Sequence, residues 1–205
     1  MTTTLNATIC YSENDTLYPH GYSYEDSLKE VLEAWADEGV PGTHPGNTGG
    51  FFTNDMPSGF SGDTYGFTTG NGYAISVYGS ITYDFPTHVL SGTVDAISFG
   101  GGLDLVGNVV DPFLTINFDD PLVSAIGDTG QYSVHDVIWG LMNSSLEGYP
   151  SGLHGTPGYG GLFAVLEDIY GIDIENTAIE DLPNAVACDS ELLGIPEFDE
   201  YLLAA

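Results

Sequence analysis

The side chains with the widest chemical range in this chain are five histidines, His20, His44, His88, His135 and His154, and 13 tyrosines. The histidines form no H-E-x-x-H or other tight zinc spacing, so each is read as serving a separate place. No G-x-S-x-G elbow is present, and no Cys-His protease signature surrounds Cys10 or Cys188. Lys29 is the only Lys or Arg, which leaves little to stabilise a phosphate or an oxyanion. Residues 100–104 (GGGLD) carry part of a calcium-binding nonapeptide pattern. One partial copy cannot build a stacked site, and it reads as a turn. Two segments remain. Residues 42–50 form a Gly/Pro-rich loop around His44, and residues 80–88 form a strand end with Tyr83 and His88 five positions apart. A turn of that length can bring an imidazole to a phenol oxygen. A phenol, with an ordinary pKa near 10, ligates metals poorly until it loses its proton. An imidazole acceptor favours that loss, a hard ferric ion favours it further, and Tyr and His are both known axial ligands of haem iron. On spacing alone, two polar rings capping a strand fit better.

The elements that must position these residues follow from pattern and charge. Among 205 residues there are 30 Asp or Glu against one Lys or Arg, a formal net charge of -29. That balance excludes a nucleic-acid partner and docking through a polybasic patch on an anionic membrane. With 42% apolar residues the chain is no disordered acidic tail, and its length fits one packed domain. No apolar run is long enough to span a bilayer, so no membrane insertion is expected. The N-terminal residues lack the basic and apolar regions of a cleaved secretory signal. Self-repulsion of this size needs screening, which points to a salt-adapted or exported protein. Cys10 and Cys188 fit either one disulfide tying the termini or two buried thiols.

Residues 6–11 alternate as a first strand, and 24–37 read as a helix, with Leu28, Val31, Leu32 and Trp35 on one stripe and Ser23 as N-cap. Strands are expected at 63–69 and 73–78 about a Gly70-Asn71-Gly72 turn, then at 81–85, after a turn at Gly79-Ser80, and at 89–99 and 113–118. The last third reads as helical: Val134 to Met142, Leu162 to Ile169, and 176–186. Strands first and helices afterwards predict an α+β single domain, one curved antiparallel β-sheet with helices packed on one face.

Taken in order, several segments resemble the HasA-type haemophores, secreted bacterial haem-scavenging proteins. They are Tyr22-Ser23 and Leu32-Glu-Ala-Trp35, then His44-Pro-Gly and Asn47-Thr-Gly-Gly-Phe51, then Gly79-Ser-Ile-Thr-Tyr83 with Thr87-His88. Residues 92–100 (GTVDAISFG), 134–142 (VHDVIWGLM) and the terminal Leu202-Leu-Ala-Ala205 continue the series. The resemblance implies a curved sheet packed on helices and a ferric haem b held between two loops. Tyr83 and His44 would be the axial ligands, His88 the hydrogen-bond partner of Tyr83, and Phe85, Trp139 and Met142 the lining of the haem face. It implies a carrier rather than an enzyme, because an anionic phenolate favours Fe(III) and disfavours oxygen chemistry. It also implies an extracellular location, delivery to an outer-membrane receptor and host haemoproteins as a haem source. Residues 1–196 would be the haem-binding domain and 197–205 an uncleaved signal read by a type I (ABC) exporter. The cysteines and two shortened loops, after His44 and between Tyr83 and His88, depart from the family. The alternative is a salt-adapted secreted metal-dependent hydrolase using a His-based site.

Overall fold

A computed structural model describes residues 5–42, 50–69, 72–149 and 160–188. Four long strands dominate it: β4 (Ser61–Thr68), β5 (Ala74–Asp84), β6 (Val89–Gly100) and β7 (Pro112–Ser124). They follow one another antiparallel, as consecutive hairpins require. Short strands extend both edges: β1 (Thr8–Tyr11), β2 (Gly50–Thr53), β3 (Met56–Ser58) and β8 (Ala185–Ala187). Among the described residues the sheet has eight strands in the order β3-β2-β4-β5-β6-β7-β1-β8. It is antiparallel except where β8 runs parallel to β1. A disulfide between Cys10 and Cys188 closes that edge, deciding between the two states the sequence left open.

Helices α1 (Leu28–Asp37), α2 (Val134–Met142) and α3 (Gly161–Ala164) contribute most of the other half of the core. Ser27, not Ser23, caps α1: its hydroxyl accepts the Glu30 amide while the Glu30 carboxylate accepts the Ser27 amide, a reciprocal capping box. Leu28, Val31, Leu32 and Trp35 are buried as their stripe requires, and Trp35 meets Phe99 of β6 edge-on at 5.0 Å. Residues 24–26 stay outside the helix for the same reason that 176–186 do not form one. The Asp26 and Tyr24 carbonyls accept the Ile179 and Glu180 amides, so each segment satisfies its backbone with the other. Only a short 3-10 turn, Ile179–Asp181, survives before Pro183 and β8.

Gly79-Ser80 also differs from expectation, since β5 runs through it without a turn. Gly79 (φ +145°) and Gly92 (φ +118°) bring the two strands so close that a Cβ would strike the Thr93 or Ser80 carbonyl oxygen. Asp95 bulges out of β6 and is skipped in the pairing to both neighbours. Beyond this bulge Ile81 and Tyr83 of β5 stand opposite Gly92 and Leu90. Strand alternation puts Tyr83 on the face of Ile75, Val77 and Ile81, all buried in the core. The site is the open end of that face.

Candidate functional site

Tyr83 is the second-last residue of β5, fixed on both sides. Its amide donates to the Phe60 carbonyl at 2.7 Å, and across the sheet it faces Leu90. The connection to β6 is held by Asp84, whose carboxylate accepts the Thr87 amide at 3.0 Å and the Thr87 hydroxyl. The Asp84 carbonyl accepts the His88 amide at 2.7 Å. His88 adopts a left-handed backbone (φ +60°), one of the few such non-glycine positions, and this turns its ring back over the strand end. There Tyr83 Oη and His88 Nδ1 are hydrogen-bonded. With the ring neutral and Nδ1 unprotonated, the phenol donates and the imidazole accepts. The shortened link therefore still closes the Tyr–His pair.

Around the pair stand two exposed aromatic rings, Phe60 at 58% and Phe85 at 60% exposure. Phe60 lies 6.0 Å from Tyr83 and 5.7 Å from Phe85, and Phe85 lies 5.5 Å from His88, centroid to centroid. On a surface this acidic, exposed aromatic rings grouped about one phenol oxygen are conspicuous. Burial and the Asp84 carboxylate both push the Tyr83 phenol above its ordinary value, burial more strongly. A proton acceptor or a cation must offset that before the phenolate forms.

Tyr65 marks the inner wall. Burial, reinforced by its closeness to Tyr83, pushes its phenol up to about 12. It stays a neutral donor, and its hydroxyl reaches Met142 Sδ at 3.4 Å. Met142 ends α2 and is half-buried against the core. Trp139, one turn earlier, is half-buried and stacks on His135 with centroids 6.1 Å apart and planes at 9°. His135 Nδ1 accepts the Leu90 amide at 3.3 Å. Tyr83, His88 and Phe85 thus share one cluster, Met142 joins it through Tyr65, and Trp139 approaches it through His135 and Leu90.

His44 and His154 lie outside the described residues. The approach to the His44 loop is described: the Gly42 amide donates to the Asn143 carbonyl at 3.1 Å, just past the end of α2. His20 pairs with Glu38 at 3.2 Å. Phe60 and Tyr65 escaped the sequence reading, and His135 was noted there only as one of five histidines, with no role given. Phe60 and Tyr65 belong to β4 and its approach, and only β-pairing brings them to Tyr83. His135 sits on the apolar stripe of α2, where its spacing is that of any core residue.

The donor set suits a hard, oxygen-seeking ferric centre carried on a flat apolar macrocycle: a phenol with an imidazole acceptor, flanked by open aromatic surface. Among the described residues no group of three or more His, Cys, Asp or Glu could hold a bare metal ion.

No family model matches the chain. Haemophore HasA of Serratia marcescens is 28% identical over 203 residues, covering 90% of this chain and 94% of that protein. The holo haemophore HasA of Yersinia pestis superposes with a TM-score of 0.65 at 22% identity, covering 90% of this chain and 99% of that one. An apo structure of the Yersinia pestis protein gives 0.64 at 22% identity over 90% and 97%. The chain has the HasA-type haemophore fold and resembles that family in sequence over nearly all its length.

Proposed function

We propose that this protein is an extracellular haem carrier that captures ferric haem b and hands it to an outer-membrane receptor, with host haemoproteins as one source. The observation that carries the reading is the Tyr83–His88 hydrogen bond at a strand end ringed by Phe60 and Phe85. Bound haem supplies a Lewis-acidic ferric ion and two large apolar faces. Tyr83 would hold the iron through its phenolate oxygen, with His88 Nδ1 taking the phenol proton and donating it back to the phenolate as a hydrogen bond. Phe60 and Phe85, with Trp139 and Met142 on the α2 side, cover porphyrin surface and exclude water. His44, which lies outside the described residues, would supply the second ligand to the iron. With Lys29 the chain's only Lys or Arg, the haem carboxylates would be left to solvent. Residues 1–196 are the carrier domain, and 197–205, which lie outside the described residues, are the address read by a type I (ABC) exporter.

A tyrosinate-bound ferric centre is hard to reduce, which suits transport and not oxygen or peroxide chemistry. The hydrolase reading finds no support among the described residues, whose His, Cys, Asp and Glu form no metal-holding group. Titration with hemin, followed in the visible spectrum, tests the carrier reading. A Soret shift saturating at one equivalent, absent in Tyr83→Phe, is expected. A shift that persists unchanged in Tyr83→Phe would sink it.

A further inference from the structure

Helix α2 meets the sheet at a point that the haem-carrier reading does not use. Strand β7 ends at Ser124, opposite Gly92, while β6 continues back to Val89. Tyr83 sends its amide to Phe60, away from β6, so Tyr83 and Leu90 face each other as a pair that exchanges no hydrogen bonds. The Leu90 amide therefore points outward on the β7 side, where no strand is left to receive it. Leu90 is buried, and an amide left there without an acceptor would be unfavourable.

The sequence fills this place with α2. Ser124 Oγ accepts the Val134 amide at 2.7 Å, which starts the helix at the end of β7. The next residue is His135, only 4% exposed, and its Nδ1 accepts the Leu90 amide at 3.3 Å. Trp139, one turn on, stacks on the same ring and fixes its plane. His135 thus stands in for the missing strand at the residue directly opposite Tyr83 and two positions after His88.

We propose that His135 is a positioning residue for the Tyr83–His88 pair, holding the end of the β5–β6 hairpin through the Leu90 amide. It does so as the neutral imidazole with its proton on Nε2, because a protonated Nδ1 cannot accept. Its consequence for ligand binding rests on the haem-carrier reading, whereas the anchoring itself belongs to the ligand-free protein. Without the acceptor the first residues of β6 lose their outer tether. Tyr83 and His88, both referenced to Leu90, then lose their fixed separation.

The test uses the full chain, with His135→Leu to remove the acceptor and His135→Asn to restore it, since an Asn Oδ1 occupies nearly the place of Nδ1. In the ligand-free protein, amide exchange at Leu90 should be about tenfold faster in His135→Leu than in wild type and return to wild type in His135→Asn. Hemin affinity should fall by about tenfold in His135→Leu, with a weakened tyrosinate charge-transfer band, and recover in His135→Asn. Equal Leu90 exchange in wild type and His135→Leu, or failure of His135→Asn to restore it, would overturn the proposal. The imidazole nitrogen shifts of wild-type His135 decide the case even if His135→Leu does not fold, because the Nδ1–H tautomer would overturn it. If wild type takes up no hemin, the carrier reading falls, while Leu90 exchange still decides the anchor.

Discussion

Between Tyr83 and its proton stand two opposing influences. Burial and Asp84 hold the phenol above its ordinary value of 10.0, and the His88 acceptor and a bound cation work the other way. If the phenolate is the ligand, as proposed, binding requires the Tyr83 proton to leave, so hemin affinity should rise with pH until the raised value is passed. Replacing His88 with Ala should weaken binding by about 10–100-fold at pH 6 and by much less at pH 9, where proton loss needs less help. Tyr83→Ala should be the most damaging single change at every pH, because the oxygen is held at a strand end before haem arrives. His44→Ala should cost less, since a Gly/Pro loop gives up about 1–2 kcal/mol for each residue it must order. Equilibrium hemin titrations of the three variants across this pH range check the ranking. Of the candidate residues, Tyr83 and His88 were visible in the local sequence as a spacing that a short turn could close, whereas Phe85 came only from the family resemblance. Phe60 and Tyr65 were not visible, because their approach to Tyr83 depends on the register between β4 and β5.

At the level of elements, α2 and α3 are joined by one buried carboxylate. Asp136, 2% exposed, accepts the first amide of α3, that of Gly161, at 2.8 Å. Burial holds its carboxyl above the ordinary value of 3.8, and the Gly161 bond only partly offsets this. A carboxyl raised in the folded state favours folding when protonated. Its contribution is complete below 3.8 and fades as pH rises through the raised folded value. Asp136→Ala leaves the Gly161 amide without its acceptor and should destabilise by about 1–3 kcal/mol. The loss should be largest in acid and shrink as pH rises. Urea unfolding of both proteins at matched pH measures it, and the comparison cancels repulsion among the other carboxylates. The capping of α2 by Ser133 follows from local sequence. The failed helix at 176–186 does not, because the Ile179 and Glu180 amides go to carbonyls about 150 positions earlier in the chain, a pairing that no local pattern encodes.

Across the molecule, a charge of -29 is met by a single ion pair from Lys29, to Glu175, among the described residues. Screening should therefore stabilise the fold. The urea midpoint should rise as NaCl increases from low salt to ~1 M, where the Debye length falls to about 3 Å. A flat midpoint would mean the carboxylates are spaced widely enough not to repel. The Cys10–Cys188 disulfide spans 178 positions and ties β1 to the end of β8. Removing it with a Cys10→Ser/Cys188→Ser pair should lower stability by about 2–4 kcal/mol. Hemin affinity should stay unchanged, because the bridge lies at the β1–β8 edge and Tyr83 at the far end of β5. Unfolding curves and hemin titrations on the same preparation read both outcomes.

Composition and periodicity by themselves determined the class of this protein: an acidic α+β domain, a run of short antiparallel strands joined by tight turns, and two striped helices. These depend on neighbours a few residues apart, where turn chemistry and helical spacing act directly. Tertiary structure decided the rest. The order of the edge strands, the parallel β8 and the disulfide depend on where distant segments meet. The unbroken β5 depends on two glycines whose freedom lets β5 and β6 close on each other. The place of His135 depends on β7 ending short of β6. In each case a backbone or buried polar group is satisfied by a partner remote in sequence, and only the folded chain sets which partner that is.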